Sequence, residues 1–153
     1  MKTDKTLELE KQLYHYTNKK GVYGCKEVTL RNPAYELNKE RVDYLTFDTK
    51  GVVRCYEIKV SKTDLFSKNV LSFWGNYNYL VMPRELYDLL MDKYRDKYFM
   101  HVGISVGILV PSDYNYLECV RKPIKKQVSF SGYAQIIESF ARSASTQLGQ
   151  LYK

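Results

Sequence analysis

Residues 41–60, RVDYLTFDTKGVVRCYEIKV, decide the fold of this chain. β-Branched and aromatic residues alternate with polar ones on both sides of Thr49-Lys50-Gly51, which is typical of two antiparallel strands joined by a short turn. Glycine suits the left-handed position of such a turn because it has no Cβ. We therefore predict a β-hairpin in which Asp43 faces Glu57 on the neighbouring strand.

The end of this hairpin away from the turn gathers ionisable residues. Because side chains alternate along a strand, Arg41 and Asp43 share a face with Glu57 and Lys59, while the turn end of that face is apolar. Two facing carboxylates repel each other unless a cation or a proton lies between them. Carboxylate oxygens suit Mg²⁺ or Mn²⁺ better than zinc, and Lys59 is placed to orient or help deprotonate a metal-bound water. The alternative is an ordinary surface patch of salt bridges.

Apolar periodicity and turn signals predict helices and strands around this hairpin. Ser61 and Asp64 have the spacing of a capping box, which explains both as helix-start residues; a direct role of Asp64 in the site is the alternative. The order of elements predicts an α/β fold with a mixed sheet flanked by helices. We predict helices over residues 6–18, 61–69, 83–94 and 131–150, and strands over residues 22–30, 41–48, 52–60, 78–82, 104–110 and 116–120.

The composition is that of one basic globular domain. The 153 residues, 44% hydrophobic and 27% charged, predict a single domain over residues 1–153 and exclude a disordered or fibrous chain. A formal net charge of +7 and 15 tyrosines favour a polyanionic partner such as nucleic acid. Three separated cysteines without a CxxC pair predict a reducing, cytoplasmic location. Neither a signal peptide nor an apolar run of about 20 residues is present, so no membrane partner is expected.

Asp43, followed fourteen residues later by Glu57-Ile58-Lys59, resembles the D…(D/E)xK signature of the PD-(D/E)XK nuclease superfamily. The resemblance implies the restriction-endonuclease-like fold, whose core has the order α-β-β-β-α-β. The segments RVDYLTFD, CYEIKVSKTDLFSK and GNYNYLVMPRELY are similar to the MmcB-like branch, which includes nuclease-like proteins encoded by phages. This similarity extends over about residues 20–110.

The resemblance implies a role for each residue of the signature. Asp43 and Glu57 would be metal ligands together with the carbonyl of Ile58, and Lys59 would position the attacking water. An additional acid usually precedes the motif, and Glu27 on the first strand matches its place; Glu10 on the opening helix is the alternative. The proline that usually stands before the motif aspartate is replaced by Val42, a departure that the superfamily tolerates.

Cationic and aromatic residues elsewhere are candidates for contacting nucleic acid. Arg41 is placed to clamp a phosphate oxygen or to neutralise Asp43. Trp74, Tyr77 and Tyr79 would form a stacking wall, although alternating tyrosines are equally expected in a half-buried strand. A basic run near residue 123 suits phosphate contacts, with a solvated charge run as the alternative. The candidates for nucleic-acid binding are Arg41, Lys62, Tyr77, Arg121, Lys122, Lys125 and Lys126.

The sequence and the resemblance together predict a deoxyribonuclease that hydrolyses phosphodiester bonds with Mg²⁺ or Mn²⁺, in DNA repair, recombination or phage DNA processing. Its location would be the cytoplasm, which for a phage-encoded protein is that of the bacterial host. The alternatives are a nucleic-acid-binding protein without cleavage and a phage protein-interaction factor, both on the same fold. The resemblance is also compatible with a homodimer. The sequence leaves open the substrate's strandedness, its specificity and the choice between endonuclease and exonuclease.

Overall fold

The computed structural model describes residues 2–31, 39–67, 71 and 73–153. Most of the segment between the first two predicted strands lies outside this range, as does the helix end predicted near residues 68–69. The helices are α1 (Asp4–Thr17), α2 (Lys62–Leu65), α3 (Arg84–Lys93), α4 (Arg95–Val102) and α5 (Phe130–Gln150). The strands are β1 (Val22–Arg31), β2 (Lys39–Asp48), β3 (Val53–Ile58), β4 (Tyr77–Val81), β5 (Gly107–Pro111) and β6 (Leu117–Arg121).

The described strands form one mixed sheet in the order β1-β2-β3-β4-β5-β6. Strands β3, β4 and β5 are parallel, and the other neighbouring pairs are antiparallel. The predicted hairpin is confirmed, with Leu45 opposite Cys55 and Phe47 opposite Val53. Gly51 takes the left-handed conformation at φ 79°, and its N–H donates to the carbonyl of Asp48 at 2.9 Å. The α/β fold expected from the sequence is therefore confirmed.

Helices cover both faces of the sheet. On one face, Leu9 and Leu13 of α1 pack on the side chains of the central strands, including Tyr56 and Ile58. On the other face, α5 covers β1 to β3 through Ile136, whereas α2, α3 and α4 cover β4 and β5. The turn end of the hairpin is buried, as predicted, so its apolar residues belong to the core. None of the helices in the described part of the chain is long and apolar enough to cross a bilayer.

The segment after β4 departs from the prediction. Pro83 has an extended ψ of 149° and precedes α3 as its N-cap residue instead of forming its first turn. The helix ends where Tyr94 leaves helical geometry at φ −129°, and α4 then follows, which the sequence prediction missed. Tyr98 and Val102 of α4 are buried one helical turn apart, a pattern too short for periodicity to reveal.

Candidate active site

The candidate site lies at the carboxyl end of β3, near the middle of the sheet. Ile58 at the end of β3 pairs with Val81 at the end of parallel β4, and β2 begins at this same end because it runs antiparallel to β3. In open α/β sheets this edge is where ligands usually bind. The hairpin therefore brings the beginning of β2 and the end of β3 together at an edge suited to chemistry.

Asp43 joins the two strands through its side chain. The ladder between β2 and β3 has the predicted register, and its last pair is Tyr44 and Tyr56, next to Asp43 and Glu57. Beyond this pair, Asp43 Oδ2 accepts a hydrogen bond from the backbone N–H of Ile58 at 2.8 Å. Because the N–H and C=O of a strand residue point to the same side, the carbonyl of Ile58 is directed toward Asp43 as well.

The carboxyl groups of Asp43 and Glu57 are in contact with each other. Glu57 is only 8% exposed, and it forms a side-chain hydrogen bond with Asp43. Burial first, and then the charge of Asp43, raise the pKa of Glu57 to about 9, an effect that the ammonium of Lys59 partly opposes. Burial and the neighbouring carboxylate therefore favour the protonated form of Glu57.

Lys59 continues the strand and is also buried, at 7% exposure. Its backbone N–H donates to the carbonyl of Val81 at 2.9 Å, and its Nζ lies 3.8 Å from Oδ1 of Asp64. Ser61 accepts from the N–H of Asp64 at 3.1 Å, which confirms the predicted helix cap at the start of α2. Asp64 thus donates its N–H to the cap of α2 and forms an ion pair with the Lys59 ammonium. The low exposure of Glu57 and Lys59 does not fit the alternative of a surface salt-bridge patch.

Both candidates for the additional acid are held by Lys2. Its Nζ lies 2.8 Å from Oε1 of Glu27, and it also pairs with Glu10 on α1. This ion pair with Lys2 lowers the pKa of Glu27. Glu27 has φ 53°, a strained conformation for a residue other than glycine. It lies in β1 between the residue that pairs with Tyr44, which is Lys26, and the residue that pairs with Val42, which is Val28. The N-terminal lysine gave no signal in the sequence, so its role was missed.

The acids form two groups, one around Lys59 and one around Lys2. Within the described ranges, no three or more His, Cys, Asp and Glu side chains come together as a group able to hold a metal ion. The donor set of Asp43, Glu57 and the Ile58 carbonyl still fits a hard divalent cation, because all of its atoms are oxygens and a cation would offset the repulsion that raises the pKa of Glu57.

The cationic candidates divide between the two ends of the sheet. Arg41 is exposed and lies two residues before Asp43 on β2. Lys62 lies on α2 beside Asp64, and its Nζ donates to the hydroxyl of Tyr94 at 3.0 Å and sits 4.3 Å from that ring's centre. These two candidates lie at the same end of the sheet as Glu57.

The remaining candidates lie at the opposite end, and the structure does not bring them to the carboxylates. Tyr77 pairs with Arg54 at the beginning of β3, and the Arg54 guanidinium lies 5.1 Å from its ring centre. Arg121 donates to the Ile104 carbonyl at 3.2 Å, just before β5. All three lysines of the run are exposed, and Lys126 also donates to a main-chain carbonyl at 2.9 Å: Lys122, Lys125 and Lys126.

The predicted stacking wall is largely occupied by contacts within the protein. Trp74 Nε1 donates to Oε2 of Glu40 at 2.9 Å, and its ring packs beneath α5. Tyr79 stacks on Tyr56 with ring centres 4.9 Å apart. These contacts agree with the alternative that the aromatic residues of β4 serve packing. Glu40 also contributes to raising the pKa of Glu57, which the sequence did not indicate.

Comparisons with known proteins show the fold and leave the activity open. No family model matches the chain, and no curated protein is similar to it in sequence. A protein of unknown function from Silicibacter pomeroyi has a similar solved structure, with a TM-score of 0.70 and 20% identity, over 100% of this chain and 94% of that chain. The structural similarity to the Silicibacter pomeroyi protein covers α5 and β6 of the present chain as well as the hairpin.

Proposed function

We propose that this protein is a metal-dependent nuclease that hydrolyses phosphodiester bonds in DNA. The observation that carries the proposal is the contact between Asp43 and Glu57, two carboxyl groups on adjacent strands, with the buried Lys59 two residues further along β3. Placing the buried Glu57 beside the partly exposed Asp43 is unfavourable unless a positive ion or a proton separates the two carboxyl groups. Such an arrangement is retained most simply when it serves a ligand of opposite charge.

In the proposed reaction, Asp43, Glu57 and the Ile58 carbonyl would hold Mg²⁺ or Mn²⁺. When bound, this ion would supply positive charge to the scissile phosphate and lower the pKa of water. Lys59 is fixed between β4 and Asp64, so its ammonium is presented in one orientation and can hold a water in line with the phosphorus. The backbone N–H of Ile58 keeps the Asp43 carboxylate from rotating away.

The charge of the molecule and its resemblance to the PD-(D/E)XK superfamily support DNA as the substrate. The formal net charge of +7 favours a polyanion, and Arg41 and Lys62 lie at the same end of the sheet as the candidate site. We propose that the protein acts in the cytoplasm in DNA repair, recombination or phage DNA processing, which agrees with its free cysteines. A homodimer is compatible with this proposal.

A cleavage assay tests the proposal. Plasmid, linear duplex, single-stranded and branched DNA are incubated with Mg²⁺, Mn²⁺ or EDTA, beside the variant Lys59→Met, which keeps the buried aliphatic stem. We expect metal-dependent products from the unmodified protein and none from the variant, while the DNA affinity of the variant stays within about twofold. DNA binding without products under any condition would favour a binding protein, and neither binding nor products would favour a protein-interaction factor.

A further inference from the structure

A polar groove opens beside the candidate site, between α5 and the end of the sheet. Its volume is about 510 Å³, and one wall is formed by Thr29 and Arg41 on β1 and β2. Arg41 lies two residues before Asp43 on β2, so the groove lies at the same end of the sheet as the carboxyl pair. The other wall comes from the last turns of α5: Arg142, Ser143, Thr146, Gln147 and Gln150.

The α5 wall presents hydrogen-bond donors along one side of the helix. Arg142, Thr146 and Gln150 follow one another at intervals of four residues, so they form a row inclined by about 26° to the helix axis. All three are exposed, and Arg142 is oriented by an ion pair with Glu138 at 2.8 Å. Guanidinium, hydroxyl and amide groups are the side chains that most often contact phosphate and sugar oxygens without reading bases.

The wall is fixed to the sheet by Gln147. Its Nε2 donates to the carbonyl of Lys26 at 2.6 Å, and its Oε1 lies 3.7 Å from Sγ of Cys25. The two contacts bind the end of α5 to β1 next to Glu27, the acidic residue of the groove. The negative charge of Glu27 is offset by its ion pair with Lys2, so hydrogen-bond donors outnumber unpaired acidic groups in the groove.

We propose that this groove binds the sugar-phosphate backbone of the DNA strand that enters the candidate site, with Arg41 and Arg142 contacting phosphates from opposite walls. The inference rests on the proposed function for the identity of the ligand, and it assigns a binding role to α5, which lies outside the part of the chain that resembles nucleases. Thr146 and Gln150 contribute neutral contacts along the same strand.

DNA affinity measured against salt concentration tests this inference independently of cleavage. Fluorescently labelled single-stranded and duplex DNA are titrated with the protein in EDTA. Each of the variants Arg41→Gln and Arg142→Gln is expected to bind about tenfold more weakly and to lower the salt slope by about one. Arg84→Gln is the matched control, because Arg84 is likewise an ion-paired surface arginine, bound to Glu118 away from the groove; its affinity should change less than about twofold.

The two proposals fail in different ways. If Arg142→Gln and Arg84→Gln bind DNA equally well, the groove does not contact the backbone, even if the protein cleaves DNA. If Arg142→Gln weakens binding but no metal produces cleavage, the groove is supported and the nuclease is not. In a cleaving protein the variant should raise KM with little change in kcat, since Arg142 is remote from the reacting bond. Circular dichroism of each variant confirms that it is folded.

Discussion

Replacing Glu57 by glutamine is expected to stabilise the metal-free protein at alkaline pH. Burial and the neighbouring Asp43 raise the pKa of Glu57 from 4.5 to about 9. The folded protein therefore keeps a proton that the unfolded chain releases above about pH 4.5, so the free energy of unfolding falls as the pH rises from there toward 9. Glutamine carries a permanent N–H and donates to Asp43 at every pH.

The size of the effect follows from the width of this pH window. From about pH 5.5 to about pH 8, the unfolded chain has lost the Glu57 proton and the folded protein retains it. A difference of one proton over roughly 2.5 pH units, at about 1.4 kcal/mol each, lowers the free energy of unfolding by about 3 kcal/mol. Glu57→Gln removes this dependence, so the stability of the variant relative to the unmodified protein should rise by about that amount between pH 5.5 and pH 8.

Urea unfolding in EDTA across this pH range measures the difference. The fluorescence of Trp74, the single tryptophan of the chain, reports unfolding because its ring packs in the core beneath α5. Glu138→Gln is the control, because it removes a carboxylate that is 71% exposed and should leave the pH dependence unchanged. The reasoning is refuted if Glu57→Gln loses stability with rising pH as steeply as the unmodified protein does.

Three further predictions concern the metal, the turn and the aromatic support. Mn²⁺ at pH 8 should raise the melting temperature of the unmodified protein, and the rise should be smaller at pH 6 because the ion must displace a proton. The melting temperature of Asp43→Asn should not rise with Mn²⁺. An equal rise in this variant would exclude the Asp43–Glu57 pair as the metal site. Gly51→Ala should lower the free energy of unfolding in urea by about 1–2 kcal/mol because of φ 79°, and an unchanged value would contradict the left-handed turn. Trp74→Phe loses the donor to Glu40, so we expect a loss of about 1.5–3 kcal/mol in urea unfolding followed by circular dichroism; stability equal to the unmodified protein would argue against that hydrogen bond.

The hairpin could be predicted because its signals are local. Alternation along β2 and β3 and a glycine in the connecting turn determine both the register and the buried face, and the structure confirms both. The helix cap at Ser61 is local for the same reason. Helix α4 was missed because its burial depends on contacts with β5 and α2, which are distant in sequence.

The electrostatics of the site depend on tertiary structure and were only partly predictable. The proximity of Asp43 and Glu57 followed from the register of β2 and β3. The hydrogen bond from the Ile58 N–H to the Asp43 side chain, however, requires these strands to separate beyond Tyr44. Lys2 reaches Glu27 only because α1 packs against the sheet. Metal binding and the role of Lys59 stay predictions, because they depend on a ligand that the fold alone does not identify.

The most direct test of the central claim is single-turnover cleavage of labelled DNA by the unmodified protein, Glu57→Gln and Lys59→Met, with Mn²⁺ varied from zero to saturation. Protein in excess of DNA, at a concentration that saturates binding for each variant, removes differences in affinity, so the rate reports chemistry alone. The account predicts a rate that rises with Mn²⁺ in the unmodified protein and is at least about a hundredfold lower in both variants. Equal rates in all three proteins, or bound DNA that stays intact at saturating Mn²⁺, would contradict it.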